Sequence, residues 1–349
     1  MSARRTPTTS FSCAVRGLTL VELMVAMLIG LLLIGGTISI FISTQQTYRT
    51  QEAMSRVQES GRFAIERIAR DAREAGYLGC PGTPENWIRA ENPSYNPNLH
   101  DVNRAFVDGD APSEHVRGDI LTISSMRSLN DADTFEMDGS SAPDLTLEEG
   151  DPASFNRGWI LRVADSESGA CEVFQNAAAT DSPGLVRGID RDMLPGNFEP
   201  EAHVGYSPFS GQVDIRVLKQ RTYFIGTTTG GTIPGLFRRT SFTNATGGAD
   251  VQSTREIASG IYDMRLEYGL DDNGDGHVNR YQPTDAMSSA DWERTAAVRV
   301  HLLVHNGEED NVVDQPRTNL YFVDDLFNAP DRRLYQTFTT TIAARNRLE

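Results

Sequence analysis

The chain has 349 residues, with 32 Lys+Arg against 48 Asp+Glu and a formal net charge of −16. The 39% hydrophobic content is enough to bury a core, which excludes a wholly disordered chain. The acidic balance argues against nucleic acid as a partner, because phosphate binding needs clustered basic side chains. Lys219 is the only lysine, so no P-loop, Schiff-base or general-base lysine can sit elsewhere.

The first 17 residues hold Arg4, Arg5 and Arg16 and no acid. Residues 18–42 follow as an almost unbroken apolar run, interrupted only by Thr19, Glu22, Thr37 and Ser39. As a helix this run is roughly 37 Å long, enough to cross a ~30 Å hydrocarbon core. The preceding arginines keep the N-terminus cytoplasmic and send the remainder out. The run is longer than a secretory signal core, and no A-x-A cleavage site follows it. A plain anchor does not account for Glu22, since an intramembrane carboxylate is costly without a partner.

Arg16-Gly17-Leu18-Thr19-Leu20-Val21-Glu22 before an apolar run resembles the class III leader of type IV pilins and type II secretion pseudopilins. The resemblance implies that a prepilin peptidase cuts between Gly17 and Leu18 and methylates the new Leu18 amine. Leu18 stands where Phe or Met is commoner. Glu22 of one subunit then has a charged partner in the Leu18 amine of a neighbour, a pairing that sets the stagger between subunits.

Helical patterning continues past the membrane run. Val57, Gly61, Ala64, Ile65, Ile68, Ala72 and Ala75 trace one face, and Arg56, Glu59, Arg62, Glu66, Arg67, Arg70 and Arg73 the other. No proline occurs from 18 to 78, so one helix is expected from 18 to about 75. Gly35-Gly36 is a place for it to bend, and Gly76 is its expected C-cap. A coiled-coil stalk is the alternative for the amphipathic half. The Ala- and Gly-rich stripe instead suits packing on a sheet.

Beyond residue 79, strand-like runs alternate with loops rich in Gly, Pro, Asp, Asn and Ser. Strands are expected at 119–124, 159–164, 172–175, 214–225, 236–242, 262–268, 297–305 and Tyr335–Ala343. Long surface loops are expected at 127–157, 176–211 and 243–250. In the 297–305 strand, Arg299, His301, Leu303 and His305 share one face. They read as a polar sheet face, because the two histidines lack a third metal ligand at ordinary spacing.

Ala75-Gly76-Tyr77-Leu78-Gly79-Cys80 is similar to the stretch that closes the long helix in PilW-type minor pilins. The run Tyr-Asp-Met-Arg-Leu-Glu-Tyr-Gly ending at Gly269, the Asp-rich loop after it and the strand holding Arg299 also look PilW-like. The resemblance implies an α+β, pilin-like fold, with a long N-terminal helix packed on an antiparallel β-sheet head. It divides the chain into a cleaved leader (1–17), a transmembrane half-helix (18–42), an amphipathic half-helix (43–76) and an exported head (77–349). Cys13 leaves with the leader, and Cys80 and Cys171 are expected to pair in the oxidising exterior; two free thiols are the alternative.

Asp271, Asn273, Asp275, Gly276, His277 and Asn279 fit the first half of an EF-hand-like calcium loop. The side chains of Asp271, Asn273, Asp275 and Asn279 and the His277 carbonyl are the candidate ligands of a weak structural calcium. Gln282 stands at the twelfth position, where a bidentate Glu is usual. An ordinary Asn-Gly/Asp-Gly turn is the competing reading.

G-x-S-x-G, H-E-x-x-H and a dinucleotide fingerprint are absent, and no enzyme is expected. The resemblance implies a minor pilin of a tip or initiation complex that primes polymerisation of the major pilin. Its partners would be other minor pilins, the major pilin, the prepilin peptidase and the inner membrane. It would be a single-pass inner-membrane protein with a periplasmic head, then part of the pilus. A minor pseudopilin of type II secretion and a pilus-borne adhesive head are the rival readings. Loss of the leader arginines takes the charge from −16 to −19, so the acidity belongs to the head.

Overall fold

The computed structural model describes Gly17 and residues 19–129, 134–140, 143–149, 155–179, 184–198, 205–227, 231–307 and 310–345. Two compact units divide it, Met1–Glu52 and Ala53–Glu349. The first helix, α1 (Leu20–Arg73), contributes to both. It runs through Gly35-Gly36 without a break. In the first unit its large apolar side chains are exposed on every side, Leu31 and Phe41 among them. The hydroxyls of Thr37, Thr44 and Thr47 turn back onto the carbonyls of Ile34, Ile40 and Ser43 at 2.8–2.9 Å. Those donors are thereby satisfied within the helix, as an apolar surrounding requires.

In the second unit α1 changes to a one-sided pattern. Ala53, Val57, Gly61, Ala64, Ile68, Ala69, Asp71 and Ala72 are buried. Small residues on this stripe let the helix approach its partners closely. A Cβ at Gly61 would lie 2.5 Å from the Phe338 ring. Past the helix, Gly76 adopts φ +67° and donates its amide to Ser124 at 2.8 Å, which ends the helix where the sequence placed its cap.

In chain order the strands are β1 (Glu85–Asn86), β2 (Phe106–Val107), β3 (His115–Arg127), β4 (Thr134–Ser140), β5 (Asp144–Glu149) and β6 (Ile160–Ala164). Then come β7 (Cys171–Gln175), β8 (Gly184–Val186), β9 (Phe209–Gly226), β10 (Gly235–Thr243), β11 (Ala249–Ser259) and β12 (Ile261–Leu270). The last are β13 (Arg280–Pro283), β14 (Thr295–His305), β15 (Leu320–Phe322), β16 (Asp325–Phe327) and β17 (Tyr335–Ala343). The 18-residue β9 is the spine of an 11-stranded sheet. Its first half pairs with β4 and β6, its second half with β3 and β10. A second sheet has the order β13-β12-β14-β17. Both are antiparallel except where β1 runs parallel to β7.

The 54-residue helix and the eight expected strands are present with modest shifts of boundary. The three expected long loops require correction. The 127–157 segment contains β4 and β5, and 176–211 contains β8. The β11 strand begins at the end of the 243–250 loop. It is an edge strand exposed along most of its length, so it carries no alternation for a sequence reading to detect.

The principal core joins α1 to both sheets. Val57, Ala64 and Ile68 pack with Leu121, Ile123 and Ile225 of the large sheet and with Met264, Val300 and Leu302 of the small one. A second core of Trp159, Phe174, Phe209 and Phe242 fills the far part of the large sheet.

One charge is buried in the helix seam. Asp71 is 1% exposed, and its carboxylate meets three guanidinium groups and a phenol. Arg221 on β9 lies 2.5 Å away, Arg238 on β10 3.4 Å and Arg127 on β3 3.6 Å. The Tyr223 hydroxyl donates to it at 2.6 Å. Burial and this anionic neighbour push the Tyr223 phenol well above its ordinary value. Removing the carboxylate strands the guanidiniums it neutralises, a change that costs about 3–5 kcal/mol. Asp71→Ala should lower the denaturation free energy by that amount, and Tyr223→Phe by about 2 kcal/mol, the worth of one bond to a charge. Chemical denaturation of the detergent-solubilised protein measures both.

Candidate functional site

The N-terminal site begins with Gly17, which is exposed; Leu18 lies outside the described residues. Thr19 Oγ1 accepts the Glu22 amide at 3.3 Å, and the Thr19 carbonyl accepts the Leu23 amide at 3.1 Å. Thr19 is therefore the N-cap of α1, and Glu22 stands at its third position. Thr-x-x-Glu is the capping-box pattern, a signal present in the sequence but not read there. Glu22 thus has two physical assignments. It favours the positive end of the helix dipole. It also places an exposed carboxylate on an apolar helix with no ion-pair partner among the described residues.

Residues 75–80 are clamped by four contacts. Gly76 donates to Ser124 and Tyr77 accepts from Met126, each at 2.8 Å. Arg162, fully buried, donates to the Leu78 carbonyl at 2.9 Å and to Asp214 at 3.1 Å. Cys80 is disulfide-bonded to Cys171 on β7, across 91 residues of sequence. Closing a loop of that length is worth up to ~4–5 kcal/mol in the chain-entropy model. Beside the bridge, Glu172 and Arg187 form a fully buried ion pair, and Glu172 also accepts the Ser207 amide at 2.6 Å.

The acidic loop links β12 to β13. Asp271 accepts the amides of Gly274, Asp275 and Gly276 at 2.7, 3.2 and 2.8 Å. Asp275 accepts the His277 amide at 2.9 Å, and Asn279 Oδ1 accepts the Asp272 amide at 2.7 Å. Gly274 and Gly276 take φ +74° and +78°, which the tight coil demands. Asp272, which was not among the candidate ligands, is held by Arg280 at 2.8 Å and Arg294 at 3.1 Å. Among the described residues no group of three or more His, Cys, Asp or Glu is arranged to hold a metal ion.

The face of β14 divides in two. His301 is bonded to Glu267 at 3.0 Å and to Thr339 at 2.9 Å, on the polar half. His305 departs from the polar-face expectation. It is buried with Leu303 toward the β15–β16 hairpin, against the rings of Tyr262 and Tyr335. Burial, reinforced by the nearby Arg333 guanidinium, pulls its imidazole down to about 4. Burial does the same to His100, whose Nδ1 accepts the Asn96 amide at 2.9 Å.

Both imidazoles are held below their unfolded value, so the unfolded chain binds more protons between pH ~6.5 and ~4. Their stabilisation is complete above that window and is lost as pH falls through it. Buried Asp119 and Asp263 have raised values and act in the opposite sense. The histidine contribution is isolated by comparing wild type with His305→Phe. The wild-type melting temperature should fall more steeply than the variant's between pH 7 and pH 4.5.

Residues 222–346 match the family model of type IV pilus-assembly protein W, from the last part of β9 through β17. Residues 13–38 match the prokaryotic N-terminal methylation motif, which contains the Gly17–Glu22 site. No curated protein and no solved structure matches the chain. The two matched segments lie on either side of the clamped helix end in sequence. The chain is thus PilW-like over residues 222–346 and carries an N-terminal methylation motif at residues 13–38.

Proposed function

We propose that the protein is a minor pilin that assembles, through the first half of α1, with other minor pilins into the complex that primes polymerisation of the major pilin. The prepilin peptidase removes residues 1–17, and the head is carried outside the inner membrane and then on the pilus. The observation that carries this reading is the exposed Glu22 carboxylate, without an ion-pair partner among the described residues, on a helix whose apolar side chains are exposed on every side. Such a surface requires apolar neighbours, first lipid and then other helices. Such a carboxylate requires a cationic neighbour. A second subunit with a free N-terminal amine supplies both. The size of the head, residues 77–349, suits a subunit present in few copies near the tip.

Glu22→Gln keeps the side chain's shape and removes its charge. The variant should reach the membrane at the wild-type level. Its amount in sheared pili should fall by roughly tenfold or more, as a lost buried ion pair implies. Immunoblots of membrane and sheared-pilus fractions measure the two quantities. Wild-type incorporation of the variant would contradict the reading.

A further inference from the structure

The face of the large sheet turned away from α1 carries a cavity of about 340 Å³. Its floor follows from strand register. Thr122 on β3 lies opposite Thr222 on β9, and Thr222 opposite Arg239 on β10. Two residues along, Ser124 lies opposite Gln220, Gln220 opposite Ser241, and Ser241 opposite Val251 on β11. Side chains two apart on a strand share a face, so these rows are neighbours on one surface. The turn after β2 and the short helix α2 (Pro97–His100) stand at its sides, contributing Gly109 and Asn98.

This floor is polar but withdrawn from solvent. Thr122, Gln220, Thr222 and Ser241 are 2%, 7%, 7% and 8% exposed. Such groups are normally satisfied within the protein. Thr122 and Thr222 share one hydroxyl–hydroxyl bond at 3.1 Å. Gln220 donates through Nε2 to the Asn98 carbonyl, and its Oε1 accepts from none of the described residues. Among the described residues the Ser124 hydroxyl and the Nε of Arg239 are buried without a partner. The capacity to bond an additional small polar molecule is therefore built into the floor.

The charge of the site narrows the class of that molecule. The floor hydroxyls and amide are neutral. Arg239 is neutralised by Glu114 at 2.8 Å, and Asp108 and Asp110 lie exposed at the rim. No unpaired charge on the floor selects an ion. Mixed donors and acceptors beside the apolar surfaces of Val107, Leu99 and Val251 match a ring with hydroxyls at its edge and C–H groups on its face. The volume lies at the small end of the ~300–1,000 Å³ range of ligand sites, which suits a single ring. We propose that this cavity binds one uncharged saccharide residue, with Gln220, Thr222 and Ser241 bonding its hydroxyls. The assignment concerns the head alone and stands or falls independently of the assembly role.

The test uses the full chain in a detergent without a sugar headgroup. Saturation-transfer NMR is recorded with glucose, galactose, mannose, N-acetylglucosamine and rhamnose, each at about 10 mM, where even millimolar affinity gives substantial occupancy. At least one should receive saturation. The signal should drop roughly tenfold or more in Ser241→Val, as loss of a bonded hydroxyl implies. Val251 is 53% exposed at the rim, so Val251→Trp should block the cavity with an unchanged melting temperature. No transfer to any of the five, transfer that survives in both variants, or transfer to acetate or glycine in place of the sugars would overturn the assignment.

Discussion

The head depends on a carboxylate that cannot be left alone. Asp71 lies inside the seam between α1 and the large sheet, where an uncompensated charge is prohibitive. Its three arginines come from β3, β9 and β10, so one side chain gathers three strands of the same sheet against the helix. The apolar contacts around it supply non-directional free energy. The ion cluster adds register, because sliding α1 by one turn would bring Ile68 or Ala75 to the guanidiniums. Lys219, the only lysine, lies beside the cluster; burial and the positive charge of Arg221, Arg127 and Arg238 lower it to about 8.

The helix end is governed by the same logic of leaving nothing unsatisfied. Beyond Arg73, Gly76, Tyr77 and Leu78 each have a partner on the large sheet, and the Cys80 disulfide closes the series. At the other end, the Thr19 hydroxyl satisfies one orphan amide of the first turn, that of Glu22. Between them, the helix is apolar all round as far as Ile42 and one-sided from Ala53 onward. These are the patterns expected of a segment surrounded by hydrocarbon or other helices and of a segment laid on a sheet. One motif near the start, Thr-x-x-Glu, therefore caps the helix through Thr19 and carries the Glu22 carboxylate on which the proposed assembly rests.

Much of this was legible in the sequence because its signals are local. The helix announced itself through an absence of proline and through steps of three and four from Val57 to Ala75. The β14 strand showed clean alternation, and two cysteines were left to pair once Cys13 was set aside with the leader. What escaped is non-local. Asp71 looks like one more charge on a polar helix until the sheet brings Arg127, Arg221 and Arg238 to it from 56 to 167 residues away. The fate of His305 depends on a hairpin, β15–β16, that the sequence reading did not place. The polar cavity is equally invisible, since Thr122, Gln220 and Ser241 become neighbours only through strand pairing.

The proposed role requires a processed helix on the clamped head, and processing at the Gly17–Leu18 bond is the step on which that role turns. In the proposed assembly, the amine that answers Glu22 does not exist until residues 1–17 are removed. Mass spectrometry of the mature N-terminus tests this most directly. The account predicts a chain that begins at Leu18 and carries one added methyl group on its α-amine. A mature chain that retains the leader, or one cut beyond the apolar segment, would contradict it.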